Sequence, residues 1–203
     1  MSGRIIVELG QMTVTTRIMR LRCFVGIPCQ LPDAAQPLLE ELKRLAQRGI
    51  RVVPTANLHI TLKFIGAVDQ DQVGFLDSIL RNRSSKQAVL NLRCHGIEFL
   101  NNSVCLGIES TDTIEQLALR LYEGFAFLGY AVEEKKFKPH ITLARFDKSA
   151  KGLLKNVTAK YSDRHWGDFI FDRYQLYRSE TVPEGARYTV LGDYNVSAAR
   201  GIF

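Results

Sequence analysis

The stretch Asn57-Leu58-His59-Ile60-Thr61-Leu62-Lys63-Phe64 returns 81 residues later as Lys138-Pro139-His140-Ile141-Thr142-Leu143-Ala144-Arg145, with the word His-Ile-Thr-Leu shared. A shared four-letter word is weak evidence by itself, and the text around each copy carries the argument. Before the first copy, 21–27 reads as a strand and 33–48 as a helix with Leu38, Leu42 and Leu45 on one face and Gly49 as its stop. A second helix is expected over 71–81, where Val73, Leu76 and Leu80 keep step. Before the second copy, Val104, Leu106 and Ile108 alternate as a strand. A helix over 113–128 then aligns Ile114, Leu117, Leu121 and Phe125, with Gly129 at its end. Both copies therefore read strand, helix, strand, which points to an internal duplication.

Further strands are expected at 88–99, turning through Asn101-Asn102 into 104–108, and at 168–177 and 187–196. Hairpin turns rather than helices separate several of them, which argues against a doubly wound parallel sheet. The expected class is α+β: a bilobal duplicated fold, with two mainly antiparallel sheets carrying outer helices and facing each other across a central cleft.

With 203 residues, 46% hydrophobic and 24% charged, the chain can bury a core without disulfides. Its apolar runs are strand-sized, far short of the roughly 18 residues of a membrane span. Residues 1–18 hold no apolar stretch of signal-peptide length, so a cytoplasmic location is expected. They precede Met19 as an N-terminal extension, either an upstream start, a remnant of cloning or a real segment, native or not, ordered or disordered. Residues 19–203 are expected to form a single bilobal domain. Cys23, Cys29, Cys94 and Cys105 make no C-x-x-C pair and sit in strand-like text, as packing thiols do. Lysine and arginine exceed acids by 27 to 21, a net +6 that favours an anionic ligand without a dense basic stripe.

Side chains at i and i+2 of a strand share a face. His59 and Thr61 therefore stand together opposite Ile60 and Leu62, and His140 and Thr142 opposite Ile141 and Leu143. If the lobes' open faces confront each other, two imidazoles and two hydroxyls meet across one cleft. One neutral and one protonated imidazole can act as general base and general acid in an in-line displacement at phosphorus, with no metal and no cofactor. The threonine hydroxyls can bind phosphate oxygens and Arg145 can add charge stabilisation. His95 and His165 lack the repeated context and are expected to be structural. Neither motif has an acidic or cysteine ligand at useful spacing, Lys63 and Arg145 would repel a cation, and Asp147 is a poor metal ligand candidate. The chain has no G-x-S-x-G elbow.

These motifs, with Arg22-Cys23-Phe24-Val25-Gly26-Ile27-Pro28, the Asn57-Leu58 and Lys138-Pro139 lead-ins, Ala144-Arg145 and Leu176-Tyr177-Arg178-Ser179, resemble the two-histidine phosphoesterases. Within that superfamily the similarity is to the bacterial and archaeal RNA 2′,3′-cyclic phosphodiesterases, also called 2′-5′ RNA ligases, and runs from about residue 21 to 196. The resemblance implies a bilobal fold with both H-x-T motifs in its central cleft. It makes His59 the general acid toward the leaving 3′ oxygen and His140 the general base toward water, giving a 2′-phosphate. It gives Thr61, Thr142 and Arg145 to the phosphate. Phe24 falls where the family puts an aromatic near the ribose or base, or is a core residue. The partners implied are RNA 3′ ends or nucleoside 2′,3′-cyclic phosphates, and the expected state is a monomer away from membranes. Ligation of an RNA 5′-hydroxyl, as on tRNA-like fragments, would use the same residues, and a nucleotide-binding module without turnover is a further alternative.

Overall fold

The structure, a computed structural model, describes residues 4–9, 12–17, 19–46, 49–109, 111–130, 137–183 and 185–196, the first two segments by their backbone. Strands β1 (Arg4–Leu9) and β2 (Met12–Arg17) pair with each other, from Arg4 opposite Arg17 to Leu9 opposite Met12, in a two-stranded ladder separate from the main sheet.

The first half of the main fold follows the apolar periodicity. Strand β3 (Arg20–Pro28) leads through a short 3₁₀ turn into helix α1 (Gln36–Leu45), which buries Leu38, Leu39 and Leu42. Gly49, at φ +73°, takes the left-handed backbone that a side chain would strain and turns the chain into the short strand β4 (Ile50–Val52). The end of the expected helix, residues 47–48, lies outside the described residues. Strand β5 (His59–Asp69) carries the first motif, and helix α2 (Val73–Ser84), which buries Leu76 and Leu80, follows it.

The second half repeats the order. Strand β6 (Leu90–Leu100) turns at Asn101, whose φ of +53° is the turn residue's, into β7 (Ser103–Ile108). Helix α3 (Asp112–Ala126) buries Ile114, Leu117, Leu121 and Phe125, and β8 (His140–Phe146) carries the second motif. Helix α4 (Lys151–Tyr161), on Leu154, Val157 and Tyr161, follows β8 as α2 follows β5, and adds to the elements expected from sequence.

The expected strand over 168–177 is two strands. Strand β9 (His165–Phe171) and strand β10 (Arg173–Val182) meet at Asp172 and lie in opposite halves of the sheet, the first on β6 and the second on β3, with β11 (Gly185–Asn195) closing that edge. Phe169-Ile170-Phe171 before Asp172-Arg173 and Tyr174, Leu176 and Tyr177 after it all read as strand, so periodicity alone does not reveal that the two sides pair with different partners. Asp172's carbonyl accepts from the Val196 amide at 2.8 Å, which fixes the crossing.

Every ladder among the described residues is antiparallel, in the order β11-β10-β3-β5-β8-β7-β6-β9, with β4 also on β8. Two separate sheets were expected. The ladders instead join into one path, through the single pair Ile60 opposite Ile141 between β5 and β8. On either side of that pair β5 and β8 carry the same burial pattern over seven residues, His59 to Ile65 and His140 to Phe146. The buried isoleucines and leucines of both motifs join one core with the helix faces. Each such fully buried side chain contributes roughly 1.5–3 kcal/mol. No helix of the described residues is long and apolar enough to cross a membrane.

Candidate active site

The Ile60–Ile141 pair fixes where the polar faces go. Both isoleucines are fully buried on one side of the sheet, so their neighbours His59, Thr61, His140 and Thr142 share the other. One step along this antiparallel register sets His59 across from Thr142 and Thr61 across from His140. All four line one cleft of about 1130 Å³, together with Arg145, Phe24 and Tyr188. The structure thus brings together every site residue picked out in the sequence.

The two imidazoles are held alike. His59 donates from Nδ1 to the Asn57 carbonyl at 2.7 Å, and His140 from Nδ1 to the Lys138 carbonyl at 2.8 Å. A carbonyl only accepts, so each Nδ1 carries a proton and each Nε2 is left for the cleft. The Asn57 side chain in turn donates to the Ala186 carbonyl at 2.8 Å, tying this lead-in to β11.

Their surroundings differ. Phe24 and Tyr188 flank His59 at ring-centroid distances of 4.8 and 5.3 Å, with Tyr177 behind at 6.1 Å. Burial among these rings holds the His59 imidazole below its ordinary value of 6.5, although the Asn57 carbonyl pulls it upward, and the charges of His140 and Arg145 add to the depression. Gly26 on β3 admits this ring: a Cβ there would stand 3.2 Å from the His59 ring and 3.1 Å from the Ile60 carbonyl oxygen. Phe24 is 2% exposed and stacked on Tyr177 at 4.8 Å, so its face is already covered.

Among the described residues the Thr61 hydroxyl has no protein partner, and that of Thr142 meets only the Cys105 thiol, at 3.8 Å. Burial pushes that thiol up to about 11, so it stays protonated. Arg145 occupies the outward-facing place of its motif strand that Phe64 occupies in the first copy; Phe64 is 52% exposed and lines the same cleft. One wall therefore offers charge and the other an aromatic face.

His95, His165 and Asp147 lie outside the cleft, whereas Cys23, Cys105 and Lys63 are part of its lining. His95 and His165 sit opposite each other on β6 and β9, with Nε2 atoms 3.3 Å from Asp163 and 3.8 Å from Asp168, and neither lines the cleft. The Asp147 amide donates to the Gly49 carbonyl at 2.9 Å, and Asp147 starts the turn into α4. All four cysteines are buried and unbridged. Among the described residues no three His, Cys, Asp or Glu side chains form a group fit to hold a metal. Lys63 is 2% exposed, with its ammonium over the Tyr122 ring at 4.5 Å, and is therefore part of the packing. Tyr188, which lines the cleft, and Tyr177, which stacks on Phe24 behind it, lie 129 and 118 residues beyond His59 and were missed by sequence reasoning. Only the register of β10 on β3, and of β11 on β10, brings them to the motif.

Residues 31–183 match the family model described as the 2′-5′ RNA ligase superfamily. An RNA 2′,3′-cyclic phosphodiesterase of Methanocaldococcus jannaschii is 30% identical over 184 residues, 87% of this chain and 100% of that protein. Its namesake from Thermotoga maritima is 28% identical, covering 84% of this chain and 93% of its own. Among solved structures, E. coli LigT complexed with 3′-AMP superposes with a TM-score of 0.67 at 26% identity, over 88% of this chain and 99% of that one. A Thermus thermophilus structure gives 0.71 at 25% identity, over 88% and 100%.

Proposed function

Because the chain belongs to the 2′-5′ RNA ligase superfamily of two-histidine phosphoesterases, we propose that it hydrolyses RNA-terminal or nucleoside 2′,3′-cyclic phosphates to 2′-phosphates. The observation that carries this reading is the pair of identically held imidazoles beside two threonine hydroxyls in one cleft. His140, with Nδ1–H fixed and an Nε2 lone pair, takes a proton from water as the oxygen attacks phosphorus. The bond from phosphorus to the 3′ oxygen breaks, and His59, protonated at Nε2, supplies the proton that oxygen needs. Thr61, Thr142 and Arg145 hold the non-bridging oxygens, whose charge rises in the transition state. Phe24, covered on both sides, supports the His59 ring, and the bases meet the exposed aromatic wall. We read the two halves as duplicated lobes hinged on the Ile60–Ile141 pair, and assign the site to residues 19–203, which contain every residue of the cleft. A cytoplasmic monomer fits the buried, unbridged thiols and needs no partner surface.

The test is incubation with 2′,3′-cyclic AMP in EDTA. The expected product is the 2′-phosphate alone, formed at an undiminished rate. Loss of turnover restored by a divalent metal, or a 3′-phosphate product, refutes the reading. An RNA 5′-hydroxyl in place of water at the same phosphorus gives a 2′-5′ linkage, which the family description also accommodates.

The depressed His59 makes the pH dependence informative. As the acid it must be protonated, so kcat/KM falls as pH rises through the free enzyme's His59 value, which lies below 6.5. A bound phosphate anion favours the imidazolium, so the alkaline limb of kcat lies higher than that of kcat/KM. The two profiles should be recorded between pH 4.5 and 9. A kcat/KM that instead rises through a value below 6.5 and stays high reverses the acid and base roles.

A further inference from the structure

Beyond the reacting phosphate, the cleft contains charge that the two-histidine chemistry does not use. Arg51 on β4 lies directly opposite Arg145 on β8 in the antiparallel register, with Ser103 on the other side of Arg145, and all three line the cleft. Directly opposed like charges destabilise a sheet. Among the described residues neither arginine has a carboxylate within salt-bridge distance, whereas Lys138 at the cleft edge is neutralised by Glu98. The cleft volume of about 1130 Å³ also exceeds the roughly 300–1000 Å³ typical of a site for one small ligand. Two unneutralised guanidinium groups, side by side and open to the same cleft, suit two neighbouring phosphates.

We infer that Arg51 binds the backbone phosphate adjacent to the reacting one, so that the site selects the 3′ end of an RNA chain over a free nucleoside cyclic phosphate. This rests on the phosphodiesterase reading for its substrate. Arg145 serves the phosphorus between the histidines, and Arg51, one strand spacing away, takes the phosphate joining the terminal nucleotide to its predecessor. Its fork of donors suits a phosphate's paired oxygens. Arg51 is thus a specificity residue with no part in the proton transfers.

The experiment compares the wild type, R51Q and R51K on two substrates, adenosine 2′,3′-cyclic phosphate and the dinucleotide ApA ending in a 2′,3′-cyclic phosphate. R51Q should raise KM for the dinucleotide about tenfold, as for one lost charged contact. It should leave the nucleoside substrate within twofold, and R51K should recover part of the loss. Equal effects on both substrates, or on neither, overturn the inference. Calorimetric binding of 2′-AMP and of ApA carrying a terminal 2′-phosphate gives a readout free of turnover. R51Q should weaken only the dinucleotide and lower its salt slope by roughly 0.7, the value for one single-strand phosphate contact. If the wild type hydrolyses neither substrate but this binding contrast holds, the phosphodiesterase reading fails and the Arg51 assignment stands. Turnover without the contrast overturns the Arg51 assignment and leaves the phosphodiesterase reading intact.

Discussion

Replacing His59 or His140 with alanine is expected to lower kcat for 2′,3′-cyclic AMP by at least about 100-fold, the lower end for loss of one positioned acid or base. The double variant should fall well short of the product of the single losses, because once one proton transfer is lost the other histidine has little left to assist. Folding must be separated from chemistry at His59 in particular, since its ring packs against Phe24 at 4.8 Å and Tyr188 at 5.3 Å. His59→Gln keeps most of that volume without an imidazole's acid–base properties, so its melting curve should stay nearer the wild type while its turnover falls as far as the alanine variant's. His95→Ala and His165→Ala are the controls, because both rings face aspartates outside the cleft. Near-normal kcat in either motif variant removes that histidine from the reaction.

The histidines were legible in sequence because their information is local. A strand's two-residue period assigns the faces of His59 and Thr61 from Ile60 and Leu62 alone, and the helices over Leu38, Leu42 and Ile114 to Phe125 announce themselves by their own spacing. What stayed hidden depends on distant pairing. Asp172 reads as one more residue in an aromatic strand until β9 and β10 are seen pairing with β6 and β3, at opposite ends of the sheet. Tyr177 and Tyr188 look like ordinary strand residues until β10 lies against β3 and β11 against β10. The three-residue strand β4 is too short to show any period, yet its register on β8 sets Arg51 beside Arg145. The joining of the halves escaped for the same reason: one pair of isoleucines, each already explained as core, leaves no further mark in the text.

Arg145→Ala should lower kcat by roughly 10-fold to 1000-fold, the scale of losing one donor to a developing charge. The strand pattern gives position 145 an outward-facing place that Phe64 fills in the other copy, so packing does not require an arginine there. Its charge nevertheless reaches the site, since it helps hold His59 low and partly offsets the burial that raises Tyr188. A fixed guanidinium beside the phosphate stabilises the more negative pentacovalent transition state more than the ground-state monoanion, and only that difference raises kcat. Lysine at 145 should recover part of the loss, because it restores the charge but not the planar fork of donors. The melting temperature should hardly move, since an exposed strand arginine without an ion pair contributes within about 0.5 kcal/mol. Removing Arg145 also relieves one charge on His59, so the alkaline limb of kcat/KM should shift upward in the alanine variant. If kcat holds while KM alone rises, Arg145 attracts the anionic substrate without favouring its transition state. The upward shift of that limb would then still identify His59 as the group beside it.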